Sequence, residues 1–103
     1  GQKEIKLEQY SLIPVVPPTE IARAYGHGAS KYAANNWRLG YPFAWTLDSL
    51  GRHIESFKEG EDINPETGIH HLAHAAFHLN SLMDWTLTPG YEKFDERWKK
   101  GKK

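Results

Sequence analysis

The sequence predicts an all-α protein, a small helical bundle with an extended N-terminal arm. Three segments carry apolar residues at helical spacing, and stretches rich in proline and glycine separate them. Only the first residues alternate as a strand would, and they do so weakly. The 103 residues fit a single domain over residues 1–103, with its core at about residues 12–98.

The N-terminal stretch KEIKLEQYSLIPVVPP predicts an extended arm that can include a short edge strand. Pro14, Pro17 and Pro18 cannot donate to a strand ladder, and each favours extended geometry in the residue before it. We expect the arm to lie against the body of the domain or against a neighbouring subunit.

The stretch PTEIARAYGHGASKYAA predicts the first helix, with its start marked by the Pro-Thr pair. Gly26 and Gly28 weaken helical structure and predict a break near His27. The following stretch, ANNWRLGYPFAW at residues 34–45, contains Gly40 and a proline and is predicted to be a loop.

The stretch TLDSLGRHIESFKEG predicts the second helix, with Thr46 as N-cap and Gly60 as the C-terminal cap. Its apolar stripe is formed by Leu47, Leu50, Ile54 and Phe57. The stretch IHHLAHAAFHLNSLMDWTL predicts the third helix. Its expected core face consists of Ile69, Leu72, Ala76, Leu79, Leu82 or Met83, and Trp85 or Thr86.

The C-terminal stretch YEKFDERWKKGKK predicts a short amphipathic tail. Tyr91, Phe94 and Trp98 are expected to pack on one side of it.

The composition excludes several classes of function. The chain has no cysteine, which rules out disulfides and thiolate metal sites. Thirteen basic residues balance thirteen acidic ones, which argues against general binding of nucleic acid polymers. No apolar run reaches membrane-spanning length, so we expect a cytoplasmic protein. The abundance of aromatic residues, 13% of the chain, predicts a homo-oligomer, a dimer or a tetramer.

The stretch GHGASKYAANNWRLG carries the groups that bind nucleotides. Lys31 and Arg38 can hold phosphate, and Trp37 or Tyr32 can stack on a base. Asn36 offers donor and acceptor groups suited to the edge of a purine. The alternative is that the tryptophan fills the core and the two charges are ordinary surface residues.

Three histidines of the third helix, His71, His74 and His78, are spaced to lie on one face. They predict either a metal site or a set of polar side chains lining a pocket. On the second helix, Arg52 and Glu55 can form a surface ion pair. Alternatively, the nearby glycine lets a ligand approach Arg52 closely.

The loop GEDINPETG has two interpretations. Its acidic residues can form a cation site, although the length and spacing differ from those of an EF-hand loop. Asn64, the proline after it and the glycines are also typical of a turn that leads into a helix with Thr67 as N-cap. We favour the turn.

Several of these motifs occur together in a known family. The chain resembles the phage and prophage domain named dATP/dGTP diphosphohydrolase, whose pattern it matches in order over about residues 12–85. Asn64 departs from the pattern, where the family usually has Asp. The matching positions are Leu12 to Pro14, Gly28 to Tyr32, Asn36 to Trp37, Arg52 to His53, Gly60 to Gly68, His71 and His74.

The resemblance also implies a distant relation to the MazG-like nucleotide pyrophosphohydrolases, in which four carboxylates on two helices hold magnesium. Aligned with that pattern, this chain has Ser49, Arg52, His71 and His74 at the four positions. Magnesium neutralises phosphate charge and orients water. Arginine and histidines could neutralise phosphate directly, so the replacement favours binding over cleavage.

The hypothesis that follows is a phage nucleotide-binding protein that is not an enzyme and needs no cofactor. It resembles the sponge proteins that sequester cyclic dinucleotides, such as 3′,3′-cyclic GMP–AMP, and so suppress the CBASS antiphage defence of the infected host. The expected ligand-binding residues are Lys31, Tyr32, Asn36, Trp37, Arg38, Arg52, His53, His71 and His74. The alternative is a Mg²⁺-dependent dATP/dGTP diphosphohydrolase with metal ligands from Glu55, Glu61, Asp62, Glu66 or the histidines.

Overall fold

Three α-helices make up the fold in the computed structural model, which describes residues 6–101. They are α1 (Val16–Lys31), α2 (Phe43–Lys58) and α3 (His71–Leu87). Both α1 and α2 pack against α3, which is therefore the central element. Within the described residues, the one β feature is an isolated bridge between Ile63 and His70. The prediction of a small all-α bundle is confirmed. None of the helices in residues 6–101 is long and apolar enough to span a bilayer.

The N-terminal arm is exposed from residue 6 to residue 15. Its regular structure is a single 3₁₀ turn, Tyr10–Leu12, so the edge strand considered above is wrong for the described part of the arm. The turn closes on itself, because Ile13 N–H donates to the carbonyl of Tyr10 at 3.1 Å and no neighbouring strand is needed. The first three residues of the predicted arm, 3–5, lie outside the described residues.

Helix α1 begins at Val16, two residues before the predicted start, and runs without the predicted break near His27. Pro17 and Pro18 fit in its first turn, where backbone N–H groups have no partner inside the helix. Gly26 and Gly28 lower helix propensity, but the packing of α1 against α3 outweighs that cost.

We expect Gly26→Ala to stabilise the protein by about 0.5–1 kcal/mol. A Cβ atom at this position would meet no other atom within 4 Å, and the backbone is already helical. Alanine would lower the conformational entropy of the unfolded chain without disturbing the folded one. Urea unfolding followed by circular dichroism measures the change, and a loss of stability would contradict the unbroken α1.

Helix α2 begins at Phe43, so the predicted cap residue Thr46 is instead a buried side chain inside the helix, 1% exposed. The cap comes from a distant residue: Glu96 Oε1 accepts a hydrogen bond from Ala44 N–H at 2.6 Å. A carboxylate at a helix N-terminus also interacts favourably with the helix dipole. The predicted C-terminal cap is confirmed, because Gly60 follows the helix with a φ of +97°.

The predicted core face of α3 is wrong for several of its residues. Ile69 and Trp85 are buried as expected, but Leu72, Leu79 and Met83 are exposed in the single chain. The reason is that α1 and α2 cover a different face of α3. The buried residues of that covered face are His71, Ala73, Ala75, Ser81 and Trp85. The exposed apolar stripe leaves the expected homo-oligomer as a prediction.

The C-terminal tail packs against the segment that precedes α2. Tyr91 donates a hydrogen bond from its hydroxyl to the carbonyl of Arg38 at 2.6 Å, and Phe94 lies beside Gly40. Gly40 has a φ of +78°, and a Cβ atom there would lie 2.5 Å from the Phe94 ring, so only glycine fits. The predicted packing of Trp98 is wrong: it extends beyond this contact and is 82% exposed.

Candidate functional site

A cleft of about 530 Å³ lies where the three helices meet the segment after α1 and the loop before α3. This volume falls within the range of about 300–1,000 Å³ that is usual for ligand pockets. Six aromatic side chains line the cleft, together with four histidines. The aromatic residues are Tyr25, Tyr32, Trp37, Tyr41, Trp45 and Phe77, and the histidines are His27, His53, His74 and His78.

The aromatic residues divide into a packed wall and an open rim. Tyr25 contacts Phe77 with ring centroids 4.5 Å apart and meets Trp37 edge-on at 6.3 Å, which holds the wall in place. Tyr32 and Trp45 line the cleft but are 66% and 64% exposed. Exposed aromatic faces beside a cleft are suited to stacking on a planar ligand such as a base.

The histidines form a second wall, centred on His53 of α2. Its ring stacks on that of His74 with centroids 4.8 Å apart and an angle of 16° between the planes. The ring of His78 lies 6.2 Å from His53, and that of His71 lies 5.2 Å away on another side. The predicted common face of His71, His74 and His78 is therefore confirmed, and α2 covers it.

Burial keeps two histidines of this wall, His74 and His78, uncharged at pH 7. Burial, reinforced by the neighbouring histidines, lowers the pKa of His74 to about 4, and burial with His53 nearby lowers that of His78 to about 4. The pKa of His53 is lowered for the same reasons, with His71 as the neighbour. At pH 7 His74 and His78 are therefore neutral and act as hydrogen-bonding and stacking groups. Lys31 is the one lysine or arginine among the described residues that line the cleft.

We expect the protein to lose stability as the pH falls from about 6.5 to about 4. The unfolded chain has histidine pKa values near 6.5, so in this window it binds more protons than folded His74 and His78 do. The free energy of unfolding therefore falls with pH. Since both rings are partly solvated, we expect a change of about 1–2 kcal/mol. Urea unfolding at several pH values measures this change.

In the His74→Gln, His78→Gln double variant, we expect the free energy of unfolding to vary less with pH. An equally steep variation in that variant would contradict its assignment to these two histidines.

A second, smaller cavity of about 310 Å³ adjoins the cleft and contains Arg52, His71 and Glu61. The two cavities share one wall, to which His53 contributes. The structure therefore brings Lys31, Tyr32, Asn36, Trp37, His53 and His74 to the cleft, whereas Arg52 and His71 line the neighbouring cavity.

Arg38 is the predicted site residue that lines neither cavity. Its Nε donates to Asn35 Oδ1 at 2.8 Å, and its guanidinium lies over the Trp37 ring, 4.6 Å from the centroid. Arg38 is therefore placed to support Trp37 by a cation–π contact.

The loop before α3 is a turn, as favoured above, because Asn64 Oδ1 accepts a hydrogen bond from Glu66 N–H at 2.9 Å. The predicted N-cap, Thr67, is wrong: His70 caps α3, and its Nδ1 accepts from Leu72 N–H at 3.0 Å. Thr67 instead contacts the histidine wall, since its Oγ1 lies 2.8 Å from His74 Nε2.

The arrangement of the side chains bears on both metal alternatives, the histidine set and the acidic loop. Within residues 6–101, no three His, Asp or Glu side chains converge as a metal site requires. The stacked rings of His53 and His74 present their faces to each other and not their nitrogen lone pairs to a shared point. Neither the histidine set nor the acidic loop fits a resident metal ion in this arrangement.

Sequence reasoning missed some residues of the cleft. The local sequence predicts a loop at Trp45, because no neighbouring residue indicates that α2 begins at Phe43. His78 is outside the predicted set of binding residues, although its spacing places it on the same helical face as His71 and His74. His27 comes into contact with the wall because α1 is unbroken, which brings its ring 6.0 Å from that of His74.

Comparison with known proteins identifies the family. The family model described as "dATP/dGTP diphosphohydrolase, N-terminal" matches residues 1–101. A protein of Salmonella phage PMBT28, named dATP/dGTP diphosphohydrolase, is 37% identical over 79 residues. The match covers 77% of this chain and 27% of that protein, so the chain spans well under half the length of its relative. No solved structure matches the chain. The chain belongs to the phage family of dATP/dGTP diphosphohydrolase N-terminal domains.

Proposed function

We propose that the cleft binds a nucleotide and holds it without cleaving it. The observation that carries the proposal is the pairing of exposed aromatic faces with a wall of stacked histidines in one cleft of about 530 Å³. Tyr32 and Trp45 stack on the base, and Asn36 contacts its edge. The expected ligand is a cyclic dinucleotide such as 3′,3′-cyclic GMP–AMP, which the protein sequesters in the cytoplasm of an infected bacterium.

The charges near the cleft suit a ligand with few phosphates. Lys31 lines the cleft, and Arg52 lines the adjoining cavity. His74 is neutral at pH 7 because its pKa is lowered to about 4, so it offers a hydrogen bond to the ligand and no compensating charge. Glu66 lines both cavities and Glu61 lines the smaller one, so these four charges sum to zero. A cyclic dinucleotide, with two phosphate charges, is therefore disfavoured less than a triphosphate, which carries more negative charge at neutral pH.

The second candidate function is a dATP/dGTP diphosphohydrolase that uses Mg²⁺. The name of the family and of the Salmonella phage relative favours it. The match covers 27% of the Salmonella phage relative, so the activity in its name can belong to the part of that protein that this chain does not match. Binding by this domain and hydrolysis by the remainder of such a protein are compatible.

The test is incubation of the purified protein with deoxynucleoside triphosphates and cyclic dinucleotides, with and without Mg²⁺ or Mn²⁺. Native gel shift reports binding, and chromatography after denaturation shows whether the ligand is intact. We expect a cyclic dinucleotide to bind without metal and to be recovered whole. Conversion of dATP or dGTP to a smaller nucleotide only in the presence of metal would overturn sequestration in favour of the enzyme.

A further inference from the structure

Three side chains from different parts of the chain form a hydrogen-bonded row that ends in the wall of the cleft. Glu61 Oε1, in the loop after α2, lies 2.6 Å from His71 Nε2 at the start of α3. On the other side of the same ring, His71 Nδ1 lies 2.9 Å from His53 Nδ1. His71 is 4% exposed, so water has little access to the middle of the row.

The chemistry of these groups assigns the protons along the row. A carboxylate can only accept, so His71 Nε2 carries the hydrogen that Glu61 accepts. The two Nδ1 atoms at 2.9 Å share one hydrogen, and the arrangement that leaves His71 uncharged places this hydrogen on His53 Nδ1. His53 Nε2 is consequently left with a lone pair and acts as an acceptor.

The free nitrogen of His53 is available to a ligand. His53 contributes to the wall shared by the two cavities, and its Nε2 has no hydrogen-bond partner among the described residues and is not buried. The rings of His74 and His78 stack beside it without hydrogen-bonding to it. The charged side chains that line the same two cavities are Lys31, Arg52, Glu61 and Glu66.

We propose that Glu61 and His71 are positioning residues that fix His53 as a hydrogen-bond acceptor, through which the cleft selects ligands with an N–H or O–H group. A base amino group or a sugar hydroxyl is the matching class of donor. A phosphate oxygen has no hydrogen to give, so the lone pair of His53 directs phosphates elsewhere. The part of this proposal that concerns the ligand rests on the proposed nucleotide binding.

The row is tested first in the free protein, by ¹⁵N correlation spectroscopy of the histidine rings at pH 7.5. We expect the Nδ1–H tautomer of His53. In Glu61→Gln the side-chain amide can either donate to or accept from His71, so we expect both tautomers of His53. Glu59→Gln, which removes one charge nearby at an exposed position, is the matched control and should retain the wild-type tautomer.

Two spectroscopic results would overturn the proposal. One is the Nε2–H tautomer of His53 in the wild-type protein, and the other is a pure Nδ1–H tautomer in Glu61→Gln. Neither result depends on nucleotide binding. Circular dichroism confirms that the variants are folded, and His71→Asn, which removes the middle ring, gives an independent disruption of the row.

The ligand step is tested with 3′,3′-cyclic GMP–AMP, with its inosine analogue, which lacks the 2-amino group of guanine, and with the 2′-deoxy form of each. For the ligand that carries the recognised donor, we expect Glu61→Gln to weaken affinity by about 2-fold if the two tautomers are equally populated, because only one of them accepts. The upper bound is about 12-fold, the loss of one whole net hydrogen bond. Analogues without that donor should bind both proteins equally. An equal loss of affinity for every analogue would overturn the proposal that His53 selects ligands with an N–H or O–H group. If no nucleotide binds the wild-type protein, the proposed function fails. The histidine tautomers still show whether Glu61 and His71 fix the proton of His53.

Discussion

Replacing Trp85 by alanine is expected to lower the free energy of unfolding by about 3–5 kcal/mol, the largest effect of any single substitution considered. Trp85 is 2% exposed and is surrounded by aromatic rings. Phe43 stacks on it with centroids 5.7 Å apart, Tyr41 meets it edge-on at 5.0 Å, and Tyr91 lies at 6.0 Å. The ring therefore joins α3 to the start of α2 and to the tail.

This loss is large for a small domain, whose total stability is typically about 5–15 kcal/mol. Urea unfolding followed by circular dichroism measures it. Trp98→Ala is the matched control, because the same side chain is 82% exposed there and its removal should cost under about 0.5 kcal/mol. Trp85→Phe should cost less than Trp85→Ala, since it retains a ring and removes the buried Nε1–H, which has no hydrogen-bond partner within residues 6–101. Similar stabilities for Trp85→Ala and Trp98→Ala would refute this packing.

Replacing Trp45 by alanine is expected to weaken nucleotide binding by about 1–3 kcal/mol, or about 5- to 150-fold, if a base stacks on its exposed face. Trp45 lies in the first turn of α2 and lines the cleft while remaining 64% exposed. Stability should change little, because most of the side chain is in contact with solvent. Titration of a cyclic dinucleotide into each protein, monitored by calorimetry, measures the affinity.

Trp98→Ala again provides the control, since Trp98 is an exposed tryptophan that does not line the cleft. Its affinity should match that of the wild-type protein. An unchanged affinity in Trp45→Ala would remove this residue from the binding surface and leave Tyr32 as the exposed aromatic candidate. Ligand binding should also quench the tryptophan fluorescence of the wild-type protein more than that of Trp45→Ala.

The helices could be predicted from the sequence because their signals are local. Apolar spacing and glycine or proline boundaries located all three of them. The segment around Lys31 and Trp37 lines a cleft, and its role in binding stays a prediction. The common face of the three α3 histidines also follows from spacing alone. Their pKa values could not be predicted, because burial by α2 and the neighbouring rings lowers them.

The errors share a physical cause, which is that long-range contacts replaced local preferences. Helix α2 begins at Phe43 because Glu96, more than fifty residues away in the chain, accepts the Ala44 N–H. The leucines of α3 were predicted to be buried, but α1 and α2 cover its histidine and alanine face instead. The break at Gly26 and Gly28 is absent because packing against α3 outweighs two weak propensities.

By itself, the sequence determined that this protein is helical, about where its three helices lie and which chemical groups it can offer to a ligand, since composition and spacing are properties of neighbouring residues. The tertiary structure decided which of those groups meet. It brought Trp45 to the cleft, left Arg38 outside it, and joined Glu61, His71 and His53 in one hydrogen-bonded row. Hydrogen bonds of this kind depend on distances of about 3 Å between residues far apart in the chain, and only folding sets those distances.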